Sequence, residues 1–281
     1  MNQPARCRYN QQIKHYYDSS QLFYRLFCYD RKTLGMHHGF WDKNTNTITQ
    51  AMINENQAII DLAGIKAGDK VLDAGCGVGG TAIYLAKKTG ARVYGISLSR
   101  NQVRLAKGYA RKHDASRLTH FQVQDYSATK FPENFFDVVY GIESICYAFP
   151  KSAFLKEARR ILKPGGKIVI ADGYCRRIPA NFRERKIISD FTRAFALKEL
   201  ITYGQMARSL RQAGFIKIRE LDKTKNVRPS VEHFARLAWW ARPISWLLPA
   251  LERNRKAIIC ERDSLRLNLA AYFIHWAEKP T

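Results

Sequence analysis

"VLDAGCGVGG", residues 71–80, carries an apolar run into Asp73 and then sets Gly75, Gly77, Gly79 and Gly80 close together. An apolar run closed by glycines reads as a strand turning sharply into a helix. Glycine permits the turn and lets the backbone approach a ligand, with N–H groups of the first helical turn facing it. Outward from this loop the texture alternates. Strand-like runs "KVLDAG", "ARVYGIS", "LTHFQVQ", "FFDVVYGI" and "GKIVIADGY" are separated by helical stretches such as "GGTAIYLAKKTG", "SRNQVRLAKGYARKH" and "KSAFLKEARRIL". That alternation predicts a parallel, doubly wound sheet with ligands outside the carboxyl ends of its strands.

The glycine spacing fits two patterns. Gly75-x-Gly77-x-x-Gly80 satisfies the dinucleotide fingerprint, which wants an acid about 20 residues on for a ribose hydroxyl. Here the second strand ends "YGISLS", with Ser97 instead. Asp73, inside the loop, suits a bound group carrying a positive amine. Asp73-x-Gly75-x-Gly77-x-Gly79 resembles the loop of class I S-adenosylmethionine methyltransferases, and "ILKPGGKIVI" (161–170) resembles the turn before their fifth strand. The resemblance implies a Rossmann-like, mostly parallel seven-stranded sheet with helices on both faces. It also implies S-adenosyl-L-methionine as cofactor, with Gly75, Cys76, Gly77 and Gly79 around it.

"GISLSRNQ" (95–102) resembles the corresponding stretch of tocopherol methyltransferases and cyclopropane fatty-acid synthases, which assigns the ribose to Ser97 and Gln102, with Leu98 beside them. Ser99 is the better helix cap. "FQVQDYS" (121–127) ends the third strand on Asp125, which by the same resemblance binds the adenine amino group beside Tyr126; a turn-forming aspartate is the plainer reading.

Upstream, "YYDSSQLFYRLF" (16–27) and "GMHHGFWD" (35–42) resemble the N-terminal signature of sterol and tocopherol methyltransferases, whose first helices fold over the cofactor as a lid. Leu22, Phe23, Leu26 and Phe27 fall on one helical face, and a second helix is expected from about Thr49 to Leu62. The resemblance places Met36 and His37 against the cofactor and offers His37 or His38 as a base; packing and lid hydrogen bonds are the alternative. Adjacent histidines on a helix would diverge by about 100 degrees, so no metal site is expected. "GIESICYAF" (141–149) resembles the active-site stretch of sterol C-methyltransferases, which makes Glu143 an active-site carboxylate. The bland alternative is a carboxylate that ties down the next loop or binds the cofactor's amino acid end. Tyr147 replaces the histidine of that stretch, and Tyr17 and its aromatic neighbours would wall the site.

Forty-seven Lys and Arg against 24 Asp and Glu leave a formal charge of +23 over 281 residues, which attracts anionic surfaces without choosing among them. No nucleic-acid reader module is visible, so specific nucleic-acid binding is not expected. Six scattered cysteines form no C-x-x-C pair and fit a reducing, cytoplasmic setting. The richest apolar segment, "LAWWARPISWLLPALERNRK" (237–256), is broken by Arg242, Pro243 and Pro249, which suits short buried or interfacial helices better than a membrane span.

The expected organisation is one catalytic domain: a helical lid over 1–62, a cofactor-binding core over 63–175, and a remainder over 176–281. That remainder completes the sheet, with an antiparallel edge, and carries helical caps at about 176–210 and 230–260. Bulky apolar residues with a basic border suggest a small lipophilic or aromatic acceptor approached from an anionic membrane surface. The expected reaction is C-methylation of a sterol- or isoprenoid-like molecule. O- or N-methylation of an aromatic metabolite stands close behind, and nucleic-acid methylation further off. Oligomeric state is not legible.

Overall fold

The computed structural model describes residues 3–23, 32–240, 242–245 and 249–281. Along the chain they form α1 (Gln3–Phe23), α2 (Ile48–Ala63), β1 (Lys70–Ala74), α3 (Gly80–Thr89), β2 (Arg92–Ser97), α4 (Arg100–Lys112), β3 (Thr119–Val123) and β4 (Phe136–Ile142). There follow α5 (Lys151–Ile161), β5 (Leu162–Cys175), α6 (Phe182–Ala194), α7 (Tyr203–Gln212), β6 (Ile216–Asp222), α8 (Thr224–Trp240), α9 (Arg242–Ser245), α10 (Pro249–Arg266) and β7 (Ala270–Glu278). The expected apolar face of Leu22, Phe23, Leu26 and Phe27 lies outside the described side chains.

The strands make one seven-stranded sheet in the order β3-β2-β1-β4-β5-β7-β6. β1 to β5 pair in parallel, and β7 runs antiparallel to both β5 and β6. The strand reversal expected near the end of the chain is therefore present, with the last strand threaded inside the edge. Composition explains the order: β7 is buried along almost its whole length, while β6, "IKIRELD", is largely exposed and supplies a charged edge.

Successive residues of a strand point to opposite faces, so Val71 and Leu72 open two separate cores. Val71 and Val93 pack with Ile59 of α2, Leu85 of α3 and Val103 of α4. Leu72 and Val139 pack with Phe154 and Leu155 of α5 and with Met206 and Leu210 of α7. α7 thus belongs to the sheet. Of the cap expected over 176–210, only the part before α7 is free to cover the site, because the apolar face of α7 is spent on the core. α10 packs against both α6 and α8 to form the second part of the cap, and α1 lies against α10. Tyr16 of α1 donates its hydroxyl to Asn254 Oδ1 of α10 at 3.2 Å. Among the described residues no helix is long and apolar enough to cross a membrane.

Candidate active site

The turn from β1 into α3 is pinned from behind. The backbone N–H groups of Gly75 and Cys76 both donate to the Ile96 carbonyl, at 3.0 and 2.9 Å. Three of its glycines do different things. A Cβ on Gly75 would stand 2.5 Å from Ser144 Cβ, so that residue must be bare for the β4 loop to approach. Gly77, at φ +52, faces open space apart from Met36 Sδ, 3.4 Å from where a Cβ would be. Gly79 packs against Phe121 and Ala106 and does not line the cavity that the loop borders.

That cavity has a volume of about 240 Å³ and lies over the carboxyl ends of β1, β2, β4 and β5. It gathers Met36, His37, His38, Asp73, Gly75, Cys76, Gly77, Ser97, Leu98, Gln102, Asp125, Tyr126 and Glu143, with Tyr17 and Tyr147. The residues expected at the site are therefore brought to one place, except Gly79 and, among the aromatic neighbours of Tyr17, Tyr16, Phe40 and Trp41.

Ser99 caps α4, accepting from Gln102 N, and also donates to Asp18 of α1 at 2.5 Å. Ser97 donates to Gln102 Oε1 at 2.7 Å, so these two buried side chains stand as one unit at the end of β2. Asp125 keeps its turn-forming role, accepting from Ser127 N at 2.8 Å, and its second oxygen accepts from Asn10 of α1 at 2.8 Å. Tyr126 donates to the Ser144 carbonyl at 3.0 Å. The first helix therefore closes over both the Ser97 and the Asp125 ends of the cavity.

His37 and His38 lie in a loop, not a helix, and face separate carboxylates. His37 Nδ1 is 2.7 Å from Glu55 Oε2. Burial pulls its imidazole down, but the charge and hydrogen bond of Glu55 outweigh that and raise it. His38 Nδ1 is 2.7 Å from Glu143 Oε1, and its Nε2 is 3.1 Å from Glu261 Oε1. Burial is again outweighed, here by two carboxylates, which hold the His38 imidazole well above its ordinary range. Burial would raise Glu143, yet the facing His38 charge holds it below the usual carboxylate range. Tyr272 of β7 ties the two pairs together, with its hydroxyl 2.8 Å from Glu55 Oε1 and 3.2 Å from Glu143 Oε1. Glu143 itself sits at φ +48, a conformation costing of order 1–3 kcal/mol in a residue with a Cβ.

Tyr17 and Tyr147 meet edge to face at 5.5 Å. Beyond them the cavity ends in Phe191, Phe195, Leu197, Leu200, Phe234 and Ile258, contributed by the cap. Sequence reasoning missed Glu55, Glu261 and Tyr272. Glu55 carried a faint signal, since it falls three residues after Met52 and four before Ile59, on the buried face of α2.

The polar lining of the cavity suits the amino acid end of S-adenosylmethionine. Burial pushes Asp73 up to about 7, with Tyr140 and the His37 charge offsetting part of the rise. A carboxyl so placed is relieved by an ammonium group. His37 Nε2 is buried without a hydrogen-bond partner and lines the same end of the cavity, where a protonated imidazole would take a carboxylate.

The family model of mycolic acid cyclopropane synthetase matches residues 5–245. The 27-O-demethylrifamycin SV methyltransferase of Amycolatopsis mediterranei is 30% identical over 200 residues, covering 69% of this chain and 71% of that enzyme. A phosphoethanolamine N-methyltransferase of Triticum aestivum is 34% identical over 201 residues, covering 71% of this chain. The chain spans only 36% of that wheat protein's length. Among solved structures, mycolic acid cyclopropane synthase CmaA1, complexed with SAH and CTAB, superposes with a TM-score of 0.85 at 18% identity, over 96% of this chain and 98% of that one. The fold is that of the class I methyltransferases.

Proposed function

Since the chain belongs to the mycolic acid cyclopropane synthetase family, we propose that it transfers a methyl group from S-adenosylmethionine to a small lipophilic acceptor, in the first instance to a carbon of an isoprenoid-like molecule. When bound, the cofactor supplies a methyl already activated on a sulfonium. The protein's tasks are then to align the acceptor, exclude water and manage charge. Asp73 and His37 hold the ammonium and carboxylate of the amino acid end. Ser97 with Gln102 takes the ribose, and Asp125 beside Tyr126 takes the adenine.

The observation that carries this reading is the junction between the apolar end of the cavity and the Glu143–His38 pair. An alkene carbon that attacks a methyl becomes positively charged nearby, and the carboxylates of Glu143 and Glu261 with the ring faces of Tyr17 and Tyr147 favour that charge. The C–H beside such a cation is acidic enough for an ionised carboxylate. His38, held protonated, is unsuited to accept that proton, and Glu143 is suited. A phosphate-bearing acceptor would meet these same carboxylates and be disfavoured.

O-methylation is the second reading, favoured by Glu261, whose carboxylate borders the cavity beside His38 and can accept the hydrogen bond of an acceptor hydroxyl as its methyl is transferred. Incubation of the protein with [13C-methyl]-S-adenosylmethionine and a lipid extract, followed by NMR of the labelled product, separates the readings. A label bonded to carbon supports the first, a methoxy label supports the second, and a label found only in water-soluble product removes the lipophilic acceptor.

Approach from an anionic membrane is supported by Trp239 and Trp240 at the end of α8, 59% and 74% exposed between Arg236 and Arg242. Sedimentation with anionic liposomes at low salt, lost on replacing both tryptophans by serine, is the expected outcome. A parent protein that stays in the supernatant would remove this part of the proposal.

A further inference from the structure

His38 is held from two parts of the molecule at once. Its Nδ1 faces Glu143 at the end of β4, in the cofactor-binding half, and its Nε2 faces Glu261 of α10, in the cap. The ring is further boxed by Phe234 and Tyr272, at centroid distances of 6.1 and 6.3 Å. The titratable groups around it are Glu143, Glu261, the adjacent His37 and, through Tyr272, Glu55. An imidazole with a carboxylate on each nitrogen carries both protons, so it is a donor twice over and a base not at all.

Glu261 is the less tied carboxylate of this set. Glu143 is tied by the His38 backbone N–H at 2.9 Å as well as by the ring, and by Tyr272. Glu261 projects from α10 on the face it shares with Asn254 and Ile258, spaced four and three residues apart, and all three line the cavity. Its carboxylate lines the cavity together with His38 and with the apolar Phe191, Phe234 and Ile258.

We infer that Glu261 is the specificity-determining residue for the acceptor's polar end: a hydroxyl or phenol on a lipophilic molecule takes the Glu261 carboxylate over from His38 Nε2. The inference rests on the methyl-transfer reading of this cavity and adds the chemical class that the acceptor presents to it. The exchange has a second effect. With Glu261 engaged by the acceptor, His38 faces one carboxylate instead of two and gives up its Nε2 proton more readily. An acceptor with a hydrogen-bond donor thereby prepares the imidazole beside it, and a pure hydrocarbon does not.

The test needs no knowledge of the natural acceptor. Binding of 4-hexylphenol and of its methyl ether, 4-hexylanisole, is measured by calorimetry with S-adenosylhomocysteine present. The parent protein is expected to bind the phenol at least tenfold more tightly than the ether, about 1.4 kcal/mol. In Glu261→Ala the ratio should fall to within about twofold while the ether still binds, which shows that the cavity is intact. If the alanine variant binds neither ligand, Glu261→Gln keeps the shape and removes the charge, and its ratio should fall at least threefold. The NMR titration midpoint of His38 is the second readout and should move to lower pH in Glu261→Gln. Equal binding of phenol and ether by the parent would overturn the inference, as would a preference or a His38 midpoint unchanged by removing the Glu261 charge. Because no turnover is involved, a protein that passes this test yet yields no labelled product would contradict methyl transfer alone.

Discussion

The Glu143 carboxylate accepts both the backbone N–H of His38, at 2.9 Å, and its ring Nδ1–H, at 2.7 Å, through one oxygen. A single side chain at the end of β4 thus fixes a loop more than a hundred residues away and sets the charge of the imidazole it carries. The sign of its pH dependence follows. Glu143 is lowered in the fold, so its stabilising share is present above its unfolded value and lost as pH falls through the folded one. His38 is raised, so its share is complete below its unfolded value and lost as pH rises through the folded one.

Gly77→Arg is expected to abolish cofactor binding with the fold preserved. Gly77 is the loop glycine whose missing side chain leaves open cavity, and its φ of +52 adds strain for any residue with a Cβ. Calorimetry with S-adenosylhomocysteine should show no heat; parent-like affinity would remove the loop from the binding site.

Cofactor affinity should rise with pH until about 7. Burial pushes Asp73 up to about 7 from 3.8, so below that point it is a neutral acid with little hold on an ammonium group. Affinity for S-adenosylhomocysteine should climb about tenfold per pH unit on the acid side and level off above it. The ligand-free protein should show the opposite trend. The fold binds this proton more tightly than the unfolded chain does, so stability falls as pH rises through the interval. Asp73→Asn should flatten both dependences, and an affinity independent of pH in the parent would place the ammonium elsewhere.

Glu55→Gln should destabilise the fold more than it alters the cavity. Glu55 is fully buried and accepts from His37 Nδ1, Gly39 N and the Tyr272 hydroxyl, at 2.7, 3.0 and 2.8 Å. Breaking a buried pair costs about 3 kcal/mol, a fall in Tm of roughly 6–12 °C for a chain of this size. A melting point within about 2 °C of the parent would show that the His37 loop is held by other contacts.

Local chemistry made the fold legible. The glycine loop and the strands that pack in parallel behind it carry their signals in neighbouring residues, and Gly75, Ser97, Asp125 and Glu143 each close a strand that could be recognised on its own. The threading of β7 inside β6 was not specified by any local signal, because it depends on which of two late strands buries more apolar surface. The same limit governs the site. Asp73, Gly77 and Glu143 belong to motifs, whereas Glu55, Tyr272 and Glu261 are ordinary residues of two helices and a strand until the fold brings them to the histidines. Gly79 matched the loop pattern but serves the packing of Phe121.

Methyl transfer that depends on Glu143 is measured by comparing parent and Glu143→Gln for transfer of label from [14C-methyl]-S-adenosylmethionine into organic-soluble product of a lipid extract, with cofactor affinity measured on the same samples. Labelled product is expected from the parent, with a fall of at least 100-fold in the variant, about 2.7 kcal/mol, and cofactor affinity within threefold of the parent. Equal labelling by parent and variant would contradict it, because the carboxylate that organises His38 would then have no part in the reaction.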